Sequence, residues 1–424
     1  MARFVLRVPR FLSAGAARFP ALRHADFRRY VLGQGVSLIG FWMQSVAQAW
    51  LVYRLSGSEL ALGTVAFVAY LPVLCLAPLA GVVADRVDKW RLILFTQGAA
   101  MLLALGLGVL AAAGAATVPL VAAFACALGT IGAFDLPTRQ AFLVEMVGSD
   151  DLPSAIAINA SVFNTARVIG PAIAGALVAT VGEAPSFLLN GASYLAVLWA
   201  LAGMRLADRR PVVARHGGRN VRSGLRYVRR RPVQAALLLA LGLVSALALS
   251  ANVLMPSLAQ RTFARGATGY GLLLTAYGTG AVLSALRLAS RQYTRAQHRR
   301  TLLGGLALFG AALLGVAASP RFPIAIACQF LAGLGMIRFT ATTNTLIQLL
   351  VDDDYRGRVM GLHTVMFLGM APFGSLLLGA IAEPFGARAA LVVSGCAPLL
   401  ALAFLVRRLG LPEPAPALHP VAGR

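Results

Sequence analysis

The chain has 424 residues, of which 58% are apolar and only 12% are charged, and its net charge is +23. A soluble domain carries about 25% charged residues, so this composition excludes an ordinary water-soluble protein and predicts that lipid surrounds most of the chain. The positive charge does not by itself indicate a nucleic-acid partner, because membrane proteins concentrate Lys and Arg in their cytoplasmic segments.

Twelve apolar runs are each long enough to form a membrane-spanning helix, which takes about 20 residues. If the N-terminus lies inside, Lys and Arg collect in the inside segments and only a few arginines fall outside. This asymmetry predicts twelve spans with both termini in the cytoplasm. The predicted spans are 31–53, 60–84, 91–113, 117–146, 153–180, 186–206, 232–257, 269–290, 301–318, 322–348, 356–381 and 386–406.

The spans fall into two related sets of six, which predicts an all-α membrane protein built from two six-helix bundles. Such pairs of bundles are known from secondary transporters. Four residues recur as the same type 204 positions later, namely Asp150, Gly175, Gly182 and Gly191 as Asp354, Gly379, Gly386 and Gly395. The predicted organisation is a cytoplasmic segment at 1–30, bundles at 31–206 and 232–406, a linker at 207–231 and a cytoplasmic tail at 407–424.

Several other segments suggest no separate function. The linker contains RSGLRYVRRRP, which predicts a short amphipathic helix on anionic headgroups rather than a nucleic-acid site. The four cysteines lie in separate apolar runs and are expected to be core residues, not a metal site or a disulfide framework. No long apolar stretch with a cleavage site precedes the first span, so we expect no cleaved signal peptide.

The first span carries a polar stripe. At 100° per residue, its glutamines and serines fall within roughly a 100° arc that also contains Phe41. Lipid would not tolerate this face, so we expect it to turn toward a substrate cavity or, alternatively, to form hydrogen bonds between packed helices. The polar members of the stripe are Gln34, Ser37, Gln44, Ser45 and Gln48.

The loop between the second and third spans, GVVADRVDKWR at 81–91, mixes both signs of charge. The concentration of Lys and Arg in cytoplasmic segments explains the basic residues of this loop but not its acidic ones. It resembles the signature loop of the major facilitator superfamily, with Trp90 where a second basic residue is common. The resemblance implies a gating loop in which Asp85 faces the start of the eleventh span, RGRVMGL at 356–362, while the cytoplasmic side is closed. The gating residues are then Gly81, Asp85, Arg86, Asp88, Lys89 and Arg91.

Two further stretches, GAFDLPTRQAFLVEM at 132–146 and NASVFNTARVIGPAIAG at 159–175, extend the resemblance over essentially the whole chain. With RGRV they resemble the drug:proton antiporter branch that includes the bacterial enterobactin exporter. Gly170, Pro171 and Gly175 resemble the antiporter motif of the fifth span, although Ala174 replaces one glycine of its usual terminal pair. The same residues are equally compatible with a helix bend and tight packing in a carrier of either direction.

Ionisable residues inside a membrane are costly and mark functional candidates. Asp135 and Arg139 lie four residues apart on one face of the fourth span, and Arg167 lies near the middle of the fifth. We expect a buried Asp135–Arg pair, with Arg167 favoured as the partner. The pair serves either proton coupling or only the structure of the N-terminal bundle.

Arg338 lies in the tenth span, and its own half of the chain offers no intramembrane carboxylate. We expect it to line a water-filled cavity with an anionic ligand, unless backbone carbonyls or snorkelling satisfy it. His363 is a second candidate for proton coupling, although a lone His on a helix commonly serves packing. The candidate cavity residues are Gln34, Phe41, Gln44, Gln48, Asn164, Arg338 and Thr342.

No sequence signature of an enzyme is found. The chain has no GxxxxGK[ST], HExxH or GxSxG run and no Cys/His metal spacing, so we expect no cofactor and no metal. The predicted function is proton-coupled export of a hydrophobic or anionic small molecule, drug or siderophore-like, by a monomer in the inner membrane of a bacterium. The alternatives are an uptake or lipid-translocating carrier and a non-transporting membrane scaffold or sensor.

Overall fold

The computed structural model describes residues 19–204, 221–290 and 293–409, and within them the side chains of 77, 78, 85, 221, 222, 295 and 409 are not described. Every regular element in these ranges is helical. A 3₁₀ turn at Pro20–Arg23 precedes the first helix. The helices are α1 (Ala25–Ser56), α2 (Glu59–Arg86), α3 (Lys89–Ala112), α4 (Val118–Val147), α5 (Leu152–Thr180), α6 (Ala184–Ala202), α7 (Val221–Arg229), α8 (Pro232–Leu247), α9 (Gly266–Ala289), α10 (Arg295–Ala318), α11 (Phe322–Leu350), α12 (Asp353–Thr364) and α13 (Ala371–Leu409).

Local sequence explains where several helices begin and end. Asp88 caps α3 by accepting a hydrogen bond from the Arg91 backbone N–H at 2.8 Å, and Thr294 with Gln297 forms a capping box at α10. Gly57 ends α1 in the left-handed conformation, with φ of 62°, which glycine adopts without steric cost.

Eleven segments among the described residues are long and apolar enough to cross a membrane. The last of them, Asp353–Arg408, has 56 residues, more than twice the length that one crossing needs. It contains both predicted spans 356–381 and 386–406. Gly386 interrupts its helical backbone, with φ of 83° and ψ of 159°, at the predicted start of the twelfth span. The difference between eleven and twelve therefore arises at this one position.

The irregular helical turns were not predicted. After α8 the chain continues as a 3₁₀ helix at Leu249–Leu254, one α turn at Met255–Ser257 and a π turn at Leu258–Thr262. A second π turn, Val365–Gly369, separates α12 from α13. Hydropathy cannot distinguish these turns from α-helix, because the residues are equally apolar in either case.

The chain divides into two compact units. Unit one consists of Met1–Gly57, Val68–His216 and Arg265–Thr275, and unit two consists of Ser58–Phe67, Gly217–Ala264 and Ala276–Arg424. Unit two thus includes the first turns of α2, and unit one includes the first turns of α9. The division at the linker stays a prediction, and it did not anticipate these two short segments.

Each unit is held together by apolar side chains and by close helix approaches. In unit one, Phe27, Ile93, Phe142 and Leu201 are fully buried in one cluster. In unit two, α10 and α11 approach so closely that a Cβ added at Gly335 would lie 2.6 Å from the backbone nitrogen of Phe309. Small residues permit such contacts between membrane helices.

The described part of the predicted linker forms α7, which lies against α12 in unit two. The Tyr227 and Tyr355 rings stack with centroids 4.4 Å apart, and the Tyr227 hydroxyl accepts a hydrogen bond from the Asp352 backbone N–H. Arg231 pairs with Asp352 at 3.3 Å. The buried face of α7 therefore packs on protein, whereas the sequence suggested headgroups. The rest of the linker, 207–220, and most of the predicted termini lie outside the described residues.

Candidate functional site

A buried polar cluster surrounds Asp135 between α3 and α4. Asp135 Oδ1 accepts hydrogen bonds from Thr96 Oγ1 at 2.7 Å and from Gln97 Nε2 at 3.0 Å. Its other oxygen, Oδ2, lies 2.5 Å from Arg139 Nε, and only 15–17% of either side chain is exposed. Each carboxylate oxygen of Asp135 therefore has a polar or charged partner: Oδ1 accepts two hydrogen bonds, and Oδ2 lies beside the Arg139 guanidinium.

The partner of Asp135 differs from the one that the sequence favoured. The ion pair is made with Arg139, four residues later on the same helix, a spacing that places both groups on one face. The Arg167 guanidinium instead lies over the Trp42 indole, 5.6 Å from the ring centroid, within the range of a cation–π interaction. The spacing of four residues brings Arg139 to Asp135 within α4 alone, whereas a contact with Arg167 would also require a particular rotation of α5.

The polar stripe of α1 divides into a packed part and an open part. Gln34, Ser37 and Gln44 are at most 4% exposed, and Gln44 Oε1 accepts a 2.6 Å hydrogen bond from Asn190 Nδ2 of α6. Gln44 fits the helix-packing alternative rather than the substrate-cavity assignment. Gln34 is equally buried, but its Oε1 has no hydrogen-bond partner among the described residues. Phe41, in contrast, is 46% exposed, and Gln48 is half-buried.

Two further cavity candidates, Asn164 and Thr342, lie in different units. Asn164 Nδ2 donates to the Ala160 backbone oxygen at 2.8 Å, within α5. Thr342 is 2% exposed on α11, and its hydroxyl has no hydrogen-bond partner among the described residues.

The predicted gating loop contacts two other helices of unit one. Lys89 Nζ lies 2.7 Å from Glu145 Oε1, and both side chains are about nine-tenths buried. Trp90 Nε1 donates to the Leu201 backbone oxygen at 3.0 Å. The start of α3 is thereby joined to the ends of α4 and α6. Arg86 and Arg91 are exposed, and the backbone at Gly81 lies within α2. The side chain of Asp85 lies outside the described part, so its contact with 356–362 stays a prediction.

The glycine motif of α5 lies at tight helix contacts within unit one. A Cβ added at Gly170 would lie 3.0 Å from the Ile39 backbone oxygen of α1, and one added at Gly175 would lie 3.0 Å from the Gly271 Cα of α9. Pro171 is buried beside them. The packing interpretation of Gly170, Pro171 and Gly175 thus has a direct structural basis, and it holds for a carrier of either direction.

Arg338 lies on the wall of a cavity of about 280 Å³ in unit two, between α9, α10 and α11. The other lining residues include Ser284, Arg287, Arg300 and Thr301. Three of the eight described lining residues are arginines, and they are the only charged ones among them.

Two ion-paired acids escaped the sequence analysis because they lie at span ends. Glu59 is 1% exposed in unit two, where it accepts hydrogen bonds from Ser257 Oγ and, at 3.0 Å, from Arg261 Nη1. Glu183 pairs with Arg54 at 2.6 Å in unit one. The available signal was that each unit has both an acid and an arginine in or next to the loops predicted to lie outside.

No group of three or more His, Cys, Asp or Glu side chains among the described residues could hold a metal ion. The buried His363 ring stacks on Phe367 with centroids 6.1 Å apart. This contact suits the packing interpretation of His363.

Sequence comparisons place this architecture among known transporters. The profile of the family described as "Transmembrane secretion effector" matches residues 16–421. The chain is 28% identical to the Staphyloferrin A transporter of Staphylococcus aureus, over 82% of this chain and 87% of that one. It is 27% identical to the multidrug efflux pump Tap of Mycolicibacterium fortuitum (84% and 87%) and 25% identical to the enterobactin exporter EntS of Escherichia coli (84% and 85%).

Solved structures share the fold at low sequence identity. A bacterial homologue of the human lysosomal transporter Spinster superposes with a TM-score of 0.73 at 13% identity, covering 91% of this chain and 97% of that one. A bacterial homologue of the iron transporter ferroportin superposes with a TM-score of 0.69 at 17% identity, covering 91% and 98%. At these identities the likeness concerns the fold alone.

Proposed function

The chain belongs to the transmembrane secretion effector family of the major facilitator transporters, and we propose that it exports a hydrophobic or anionic small molecule in exchange for protons. Relatives of similar length include two named for siderophores and one named as a multidrug pump. These names support an exporter of such compounds over an enzyme or a scaffold.

We further propose twelve spans with both termini in the cytoplasm of a bacterium. The interrupted backbone at Gly386 supports a turn between the last two spans, and the distribution of Lys and Arg supports the orientation. Two bundles of six then alternate access to a central site near the bilayer midplane.

The observation that carries the proton-coupling proposal is the geometry of Asp135. It is a carboxylate within an apolar helix, eleven residues from the end of the predicted fourth span at 146, with an ion pair to Arg139 and hydrogen bonds from Thr96 and Gln97. Protonation would cancel the charge that holds Arg139, so binding of a proton and release of Arg139 are coupled events. The ion-paired and the protonated forms of Asp135 are then two states whose populations a proton gradient can shift.

The test is transport by the purified chain reconstituted in liposomes, with an imposed proton gradient and a panel of lipophilic dyes and carboxylate-rich chelators. Asp135→Asn should abolish gradient-driven flux, because the residue can no longer exchange a proton. Substrate exchange without a gradient should continue. Asp150→Asn, which removes an exposed acid just after the same helix, is the matched control and should transport normally.

The outcomes separate the parts of the proposal. Flux that does not change in Asp135→Asn would refute coupling at this residue while leaving transport intact. Gradient-driven accumulation in the opposite direction would make the chain an importer. No flux of any compound, in either direction, would favour the scaffold or sensor alternative.

A further inference from the structure

The cavity beside Arg338 lies within unit two, where the last turns of α9 and the first turns of α10 meet the middle of α11. Its volume is about 280 Å³, and a water molecule takes about 30 Å³ of liquid, so it has room for an ion of several heavy atoms. α9 contributes Ser284, Arg287 and Leu288, which lie on one helix face at spacings of three and four residues.

All the described charged residues that line the cavity are positive. Three guanidinium groups line it, those of Arg287, Arg300 and Arg338, and none of the described lining residues is acidic. The sequence itself contains no Asp or Glu between Asp208 and Asp352, so α9, α10 and α11 have no carboxylate of their own. Arg287 and Arg338 place two like charges on one cavity wall, and a negative group between them would be stabilised by both.

Residues with hydroxyl groups also line the cavity, and one of these hydroxyls makes no hydrogen bond to the described residues. Ser284 is 2% exposed, and its Oγ has no hydrogen-bond partner among the described residues. A buried polar group without a partner costs free energy, so a phosphate oxygen that accepts a hydrogen bond from this hydroxyl would be favoured. Thr301 and Tyr293 add two more hydroxyls to the same wall.

We propose that this cavity binds an oxyanion of the phosphate type. Guanidinium groups match phosphate oxygens in charge and in the geometry of paired N–H donors, and the hydroxyls of Ser284 and Thr301 supply further donors. The phosphate belongs either to a phospholipid headgroup or to a soluble compound that enters from water. The proposal is independent of the proposed export function, since binding requires no transport and no proton gradient.

The experiment measures binding by the full chain, purified in a neutral detergent, in two arms. One arm titrates inorganic pyrophosphate and follows the thermal unfolding midpoint. The other arm adds increasing dioleoyl-phosphatidylglycerol to the chain in the same neutral, lipid-depleted detergent and follows the same midpoint. We expect saturable stabilisation in at least one arm, and the arm that responds identifies the source of the phosphate.

Three variants and one control make the test specific. Arg287→Gln should weaken binding by about tenfold, as expected for one lost charge-assisted hydrogen bond, and Arg338→Gln should do the same. Ser284→Ala, a smaller change in case an arginine variant fails to fold, should weaken binding by about threefold. Arg407→Gln removes one exposed arginine from the last turn of α13 and should bind like the parent chain.

Two results would overturn the proposal. One is the absence of saturable stabilisation in both arms. The other is equal weakening in Arg287→Gln and Arg407→Gln, because binding would then depend on overall charge rather than on this cavity. Failure of the export assay alone would leave the proposal intact, so the two hypotheses are tested separately.

Discussion

The Asp135 cluster of unit one and the Arg338 cavity of unit two occupy related places in the two halves but have opposite electrostatic character. The shift of 204 residues that relates the halves carries Gln97 onto Thr301, and it carries Asp135 onto the residue after Arg338. In unit one, an acid is enclosed by a base and two polar donors. In unit two, three bases surround a cavity. The first arrangement is neutral by itself, whereas the charged residues of the second are all positive.

The packing of the two halves is more similar than their charge. Gly129 and Gly333 are also 204 residues apart, and a Cβ added at either would clash with a backbone carbonyl oxygen of another helix in the same unit, that of Ala69 in α2 or of Tyr277 in α9. Helix contact requires a small residue at such a position whatever the helices do. A repeated bundle can therefore keep its packing while the polar site inside each copy takes on a separate role.

The largest expected effect concerns the neutral cluster. Asp135→Asn leaves the Arg139 charge buried without its partner, which typically costs about 3–5 kcal/mol of unfolding free energy. Denaturant unfolding of the purified protein would measure the loss. The double variant Asp135→Asn with Arg139→Gln should recover most of it, because no charge is then stranded. A double variant as unstable as the single one would contradict this view of the cluster.

The second expected effect concerns the Lys89–Glu145 pair, which has no charged counterpart in the other half, since the shift of 204 residues leads to Tyr293 and Leu349. Glu145→Gln should reduce the unfolding free energy by about 2 kcal/mol, because the mostly buried Lys89 loses its partner. The same unfolding assay measures the change. Asp150→Asn, an exposed acid a few residues later, should be neutral, and an equal loss there would rule out a specific role of the pair.

The helices could be predicted because each crossing demands a long apolar run. The predicted fifth and tenth spans, 153–180 and 322–348, nearly coincide with α5 and α11. The assignment of α2's first turns to unit two could not be predicted, since it reflects contacts between residues far apart along the chain, such as the one between Glu59 and Arg261. Hydropathy records which residues avoid water but not which distant residues they contact.

The site could be predicted only as a set of candidates. The rarity of acids in apolar helices identified Asp135, but the choice between Arg139 and Arg167 depends on helix rotation and packing, which one sequence does not specify. The polar stripe of α1 shows the same limit. Its helical face was evident from the sequence, yet burial separates Gln44 from Phe41.

The third prediction turns to the cationic cavity. Arg338→Gln should change the unfolding free energy of the ligand-free protein by no more than about 1 kcal/mol, in either direction. No acid is stranded by the change, because the described lining residues include none, and one like-charge repulsion is removed. Unfolding in phosphate-free, lipid-depleted detergent measures it beside Asp135→Asn. A loss of about 3 kcal/mol would mean that Arg338 has a structural partner, and the contrast between the two sites would fail.

The smallest expected effect is the response to salt. Raising sodium chloride from about 0.1 M to about 1 M shortens the Debye length from about 10 Å to about 3 Å, which should screen the repulsion between Arg287 and its neighbours. The ligand-free protein should gain a few tenths of a kcal/mol in unfolding free energy, on the scale of exposed charge pairs.

Arg287→Gln should lose part of this gain, whereas Arg407→Gln should retain it, since both arginines are exposed but only Arg287 lines the cavity. Equal salt responses in the two variants would show that the cavity arginines already have their charge compensated, as they would if an anion stayed bound through purification.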